Sequence, residues 1–165
     1  MQHLMAVLDR QVDVTRKLIS LVPEGKENYA PAPGFMPLGA LLRHLGESLG
    51  FLKMVVTDGF PSQKDVLEAQ TRPPQSATPS EAIQAIEKNY KEFRELSEKM
   101  TPDFYNKGIV KTPFMGDAPC WLVLAGGAEH LINHKHQLFI YLKLMGMPVD
   151  TGTLYSGVMI EKSKA

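Results

Sequence analysis

Three histidines fall within seven residues of this chain, His130, His134 and His136, in the stretch EHLINHKHQ. Histidine occurs only five times in all. Imidazole titrates nearest to neutral pH of any side chain and is the commonest protein ligand for metals, so the spacing carries information. On a helix advancing about 100° per residue, His130 and His134 stand one turn apart. They share a largely apolar stripe with Val123, Leu138 and Tyr141, so both rings are expected to face inward. His136 falls on the opposite side with Glu129 and Lys143 and reads as a surface residue. The same wheel drawn for PLGALLRHLGESLGFLKMVVTD groups His44 with Leu41, Ser48, Phe51 and Val55, and turns Arg43 and Lys53 away. His3, near the start, reads as solvated.

Three inward imidazoles on two helices are costly unless their ring nitrogens are satisfied. A divalent metal takes one nitrogen from each of His44, His130 and His134, and a neighbouring acceptor must then hold the other. Three histidines without a carboxylate leave coordination positions for water or substrate, the open arrangement of a catalytic site. Zn²⁺, Ni²⁺ and Fe²⁺ all suit imidazole, and affinity order does not choose among them. Glu47, at the edge of the His44 face, is a candidate general base, outer-sphere group or extra ligand. Tyr141 is a candidate hydrogen-bond donor, and Gln137 a candidate partner for a ring nitrogen. Gly126 and Gly127, one turn before His130, are expected to leave open volume. The competing reading is a bundle with a polar core and no metal, each histidine bonded to a backbone carbonyl. Cys120 reads as a small core residue and the nine methionines as core filler.

Four helical segments would position these residues. Residues 2–22 place Leu4, Leu8, Val12, Ile19 and Val22 on one stripe. A loop with three prolines follows, then a helix over 37–58, with Pro37 in its first turn and Gly59 as its stop. Gly39, Gly46 and Gly50 share a side with Arg43 and Lys53, which is either a solvated face or a close helix contact. Residues 60–78, including Arg-Pro-Pro, read as loop, and Thr78-Pro79-Ser80-Glu81 opens the third helix with a capping box. Ile83, Ile86, Tyr90, Phe93 and Met100 give its buried face, and Glu87–Lys91 is an i,i+4 pair on its wet one. Residues 101–117 form a connector with short extended pieces near Ile109-Val110, Asp117 is a candidate N-cap, and the fourth helix runs to about residue 144. The tail MPVDTGTLYSG reads as irregular. Four helices of this length predict an all-α four-helix bundle, with its connectivity open.

The chain has 165 residues, a length that favours a single domain, 1–165. Lys plus Arg equals Asp plus Glu, 18 each, which gives no reason to expect nucleic acid or an anionic membrane surface as partner. No apolar run is long enough to span a membrane. The N-terminus has no signal-peptide core, and a lone cysteine suits a reducing compartment, so a soluble, cytoplasmic protein is expected. Ile132 and Phe139 lie on the side away from the histidines, with Lys135 between them. A face of this kind suggests a homodimer.

PAPGFMPLGALLRHLGES together with HLINHKHQLFIYLKLMG resembles the DinB-like (DinB/YfiT-like) superfamily, and TLYSG resembles its ending. The resemblance extends over the whole chain. It implies an up-down-down-up four-helix bundle holding a divalent metal through one histidine of the second helix and an H-x3-H pair of the fourth. His44, His130 and His134 match those positions, with Gln137 and Tyr141-Leu142-Lys143 following in register. Phe35-Met36-Pro37 and Lys135-His136 depart from the common pattern without touching a ligand position. The family implies a metal-dependent enzyme acting on a small molecule, either a transferase that uses a low-molecular-weight thiol or a hydrolase. The alternative it offers is a non-catalytic, metal-binding stress-response protein.

Overall fold

The computed structural model describes residues 1–62, 64–65, 67–68, 75–112 and 116–159. The Arg-Pro-Pro run at 72–74 lies outside the described residues. Four long helices dominate: α1 (Gln2–Ser20), α2 (Leu38–Asp58), α3 (Pro79–Lys99) and α5 (Cys120–Leu144). Between the last two lie a short helix, α4 (Pro102–Lys107), and a hairpin of β1 (Ile109–Thr112) and β2 (Gly116–Pro119). A further short helix, α6 (Thr151–Ser156), follows α5.

Cross-helix bonds give the directions. Asp9 on α1 accepts from Tyr90 and Arg94 of α3, while Arg16 pairs with Glu87, so α1 and α3 run antiparallel. The Ala77 N–H donates to the Gly39 carbonyl (2.9 Å), Asn89 Nδ2 to the Gly46 carbonyl (2.8 Å), and Lys53 pairs with Glu92 (2.6 Å). Residue numbers rise together there, so α2 and α3 are parallel. His44 faces His130, Leu52 faces Gly127, and Met36 receives Tyr141, so α2 and α5 are antiparallel. The order along the chain is up, down, down, up. α1 and α2 each pack on α3 and α5, so α1 and α2 stand diagonally across the bundle. Leu8, Leu45, Leu49, Ile86, Phe93 and Leu131 have no exposed surface and mark the core between them.

The parallel α2–α3 contact settles the glycine face of α2 as a close approach. A Cβ on Gly46 would sit 3.0 Å from the Ala85 Cβ and 3.1 Å from the Ala82 carbonyl oxygen. One on Gly50 would lie 2.8 Å from Asn89 Oδ1, and one on Gly39 would collide with Ser76 Oγ. The capping box forms as expected: Thr78 Oγ1 accepts from the Glu81 N–H, and the Glu81 carboxylate accepts from the Thr78 N–H (2.8 Å), which holds that carboxyl below its usual range.

Several local expectations are corrected. Pro37 is the N-cap of α2 rather than its first residue. Glu87 turns to Arg16 of α1, not to Lys91, because the third helix lies against the first. Asp117 is not a cap. It sits in β2 opposite Lys111, where opposite charges on facing strands attract. The first N–H of α5, that of Cys120, is satisfied by the Gly108 carbonyl (2.7 Å) instead. The tail is helical over Thr151–Ser156, with a capping box between Asp150 and Thr153 and a left-handed Gly157 (φ 72°) closing it.

The side of α5 opposite the histidines is covered within the chain. Phe139 and Lys135 are buried, 7% and 4% exposed. Lys135 Nζ donates to Gln11 Oε1 (2.9 Å) and to the Leu154 carbonyl (3.4 Å). Burial, and then the nearby Arg10 charge, push this ammonium below the usual lysine range. On the face where a homodimer was expected, Lys135 is thus engaged by α1 and the α6 tail.

Candidate metal centre

α2 and α5 bring His44, His130 and His134 together. The three ring centroids lie 4.8 Å (His44–His130), 4.4 Å (His44–His134) and 4.5 Å (His130–His134) apart. One ring nitrogen from each falls within 4.8 Å of the other two, and Nε2 of His44 stands 2.7 Å from Nε2 of His130. Two nitrogens bound to one ion at about 2.0–2.1 Å each, in a tetrahedral arrangement, stand roughly 3.3 Å apart. A few tenths of an ångström of ring movement would bring the pair to that spacing.

The expected depth is corrected. His44 and His134 are half-buried and His130 is exposed, so the trio lines the open groove between two helices and does not occupy the core. A helical wheel gives the direction of a side chain and not its distance from solvent. Desolvation still acts. Burial, then the neighbouring His134 and His130, lowers His44 from 6.5 to about 4, and burial followed by His134 lowers His130. Both rings are therefore neutral at pH 7, the form that carries a lone pair for a metal.

The protonation of His134 follows from a chain of hydrogen bonds. The Met36 carbonyl can only accept, so the Tyr141 hydroxyl donates to it (2.9 Å). Tyr141 oxygen then accepts from Gln137 Nε2 (3.2 Å), which turns Gln137 Oε1 toward His134 Nδ1 (2.9 Å). An amide oxygen only accepts, so Nδ1 carries a proton, and in the neutral ring the lone pair sits on Nε2. This is the arrangement in which an outer partner fixes the tautomer of a metal-binding histidine. Gln137 thus stands where the sequence placed it. Tyr141 is 1% exposed and edge-on to Tyr29, so its hydroxyl serves this chain rather than the groove.

Glu47 is brought elsewhere. It pairs with Arg43 (2.5 Å) on an exposed edge of α2, beside Glu81 and Lys88 in a shallow cavity against α3. Among the described residues, the histidines alone form a group able to hold an ion. Of the two glycines expected to open volume, only Gly126 does: a Cβ there meets nothing within 4 Å, while one on Gly127 would lie 2.5 Å from Leu52 Cδ2. Cys120 is buried against Met100 (Sγ to Sδ 3.9 Å), and its thiol is pushed up by burial, as befits a packed residue. His136 is exposed, as the wheel predicts, and so is His3 near the start of the chain. Sequence reasoning missed the Met36 carbonyl that anchors the chain, since no side-chain pattern announces a backbone acceptor.

The family model described as the DinB superfamily matches residues 8–138, most of the chain and all three histidines. The chain belongs to the DinB superfamily. This DinB-superfamily chain is similar to a DinB-like protein from Bacillus subtilis, with 20% identity over 88% of this chain and 93% of that one, at a TM-score of 0.65. It is also similar to a protein assigned to the DinB family from Exiguobacterium sibiricum, with 20% identity over 90% of this chain and 93% of that one, at a TM-score of 0.68. At that identity the two structures share its fold. No curated protein matches it. No described helix is long and apolar enough to cross a membrane.

Proposed function

We propose that His44, His130 and His134 hold one divalent ion, Zn²⁺, Ni²⁺ or Fe²⁺, and that the chain is a metal-dependent enzyme acting on a small molecule. The observation that carries this reading is the tautomer chain, which assigns the lone pair of neutral His134 to Nε2, in a ring clustered with two other imidazoles. An ion held by three neutral nitrogens keeps its full charge and lowers the pKa of a bound water or thiol. The protein's own part is to keep His44 unprotonated by burial and to fix the ring of His134 through Gln137.

Glu47 pairs with Arg43, and the group able to hold an ion does not include it. That favours a nucleophile with an accessible pKa of its own. A low-molecular-weight thiol fits better than water, and the proposed reaction is S-transfer ahead of hydrolysis. One observation favours a second reading, a non-catalytic metal-binding protein. The chain from Met36 to His134 ties the entry of α2 to α5, so an ion there would staple two helices.

The test begins with elemental analysis of protein purified without chelator or tag metal, beside a His130→Ala/His134→Ala variant. About one equivalent of metal in the wild type, lost in the variant, is expected. Thiol consumption with electrophilic substrates then separates the readings. Turnover that survives both chelation and His134→Ala refutes the enzyme reading. Metal removal that changes only the melting temperature supports the second.

A further inference from the structure

The groove between α2 and α5 continues past the histidines. Phe51 lies seven residues beyond His44 and so on the same face of α2, two turns or about 10 Å along it. Its ring is 44% exposed, although the apolar wheel would have buried it. Phe60 meets it edge to face, with centroids 5.3 Å apart. The two helices are antiparallel, so moving from His44 toward Phe51 on α2 corresponds to moving from His130 back past Gly126 toward Val123 on α5. Leu52 against Gly127 fixes that register, and Gly126 is the position with empty space where a Cβ would be. An aromatic pair with Phe51 exposed therefore lies past the imidazoles on α2, and an open, exposed position lies one turn from His130 on α5.

The charges nearby point elsewhere. Arg43 pairs with Glu47, and Lys53 reaches across to Glu92 of α3. Ser48, between His44 and Phe51, bonds the Leu45 carbonyl of its own helix (3.0 Å). Among the described residues of this stretch of α2 and α5, the side chains turned toward the groove carry no charge able to hold a carboxylate or phosphate.

We infer that Phe51 and Phe60, with the open position at Gly126, form an apolar subsite, and that the molecule taken by the three-histidine centre carries a neutral aryl or alkyl group beside the atom that approaches the ion. This rests on the metal-binding reading above. Phe51 is a specificity-determining residue: it places the apolar group and touches no ligand nitrogen.

The test uses the Co²⁺-loaded protein, whose visible absorption reports ligands entering the centre, titrated with imidazole, 4-phenylimidazole and imidazole-4-acetate. The phenyl ring does not strengthen the donor nitrogen, so any preference comes from the protein. The phenyl ligand should bind about tenfold tighter than imidazole, the scale of one apolar group in a pocket, and the acetate no tighter. Phe51→Ser should bring the ratio close to one without changing imidazole affinity or Co²⁺ content, and Phe51→Leu should keep most of it. Equal affinities in the wild type, a tighter acetate, or a ratio unchanged by Phe51→Ser would overturn the subsite while leaving the metal centre standing. Failure to bind Co²⁺, or equal binding by the His130→Ala/His134→Ala variant, would remove the metal reading and the subsite with it.

Discussion

Replacing Gln137 with leucine tests the electrostatic logic of the centre without removing a ligand. Leucine fills a similar space but neither accepts from His134 Nδ1 nor donates to Tyr141, so both contacts, at 2.9 and 3.2 Å, are lost. Loss of such an outer partner typically weakens metal binding 10- to 100-fold, about 1.4–2.8 kcal/mol. The cost to the fold should be smaller. Gln137 is half-buried, and Tyr141 keeps its bond to the Met36 carbonyl, so the loss amounts to roughly 0.5–1.5 kcal/mol. For a chain of this length that lowers the melting temperature of the metal-free protein by about 1–6 °C. Competition for Zn²⁺ against a chromophoric chelator measures the first quantity, and thermal unfolding in chelator measures the second. Gln137→Glu, which keeps an acceptor facing Nδ1, should retain affinity. Zn²⁺ affinity of Gln137→Leu within twofold of the wild type, while His134→Ala abolishes binding, would refute the argument that this amide sets the tautomer.

Two more perturbations read other parts of the structure. Gly126→Ala and Gly46→Ala make the same change in two helices with opposite expectations. At 126 nothing stands within 4 Å, so the variant should gain up to about 1 kcal/mol of helix propensity in urea denaturation. At 46 that gain is opposed by crowding against Ala85 and the Ala82 backbone, about 1–3 kcal/mol, so the variant should be no more stable than wild type; equal stabilisation of both would contradict the close α2–α3 contact. The lowered pKa of His44 gives a pH test on chelated protein. Its folded value of about 4 lies below the ordinary 6.5, so the unfolded chain binds more protons between them, and stability should fall as pH drops through that window. His44→Leu should show a shallower fall from pH 6.5 to 4, and identical slopes would count against the desolvation described for this ring.

His130, His134 and Gln137 were legible together because a helix repeats every 3.6 residues, and side chains three or four apart meet; His44 was legible only as an inward position of its own helix. The third-helix cap was legible because Thr78 and Glu81 satisfy each other locally. Misreadings arose where a residue found a different partner from the one its helix face suggested. Glu47 faces the right way for the site on a wheel, yet an arginine four residues before it engages it first. Gly127 suggested a void that Leu52 fills from across the groove. Lys135 looked like a break in an apolar face, but Gln11 and the Leu154 carbonyl take up its charge inside the fold. The hairpin rests on four paired residues per strand, too short for alternation to stand out from a loop. The helical tail depends on an Asp150–Thr153 cap that was present in the sequence but attached to only six residues.

The contact between His44 and His130 joins residues 86 apart in the chain. Closing so long a loop carries an entropy cost that local helix formation does not offset. During synthesis, a ribosome that has made α1 to α3 has produced only one of the three imidazoles. An ion held by all three would be acquired only after α5 had emerged and docked. It would stabilise the finished fold and no earlier one, because an ion bound only to the native state adds its binding free energy to that state alone. Metal supply would then govern how long completed molecules persist, and not how fast they form.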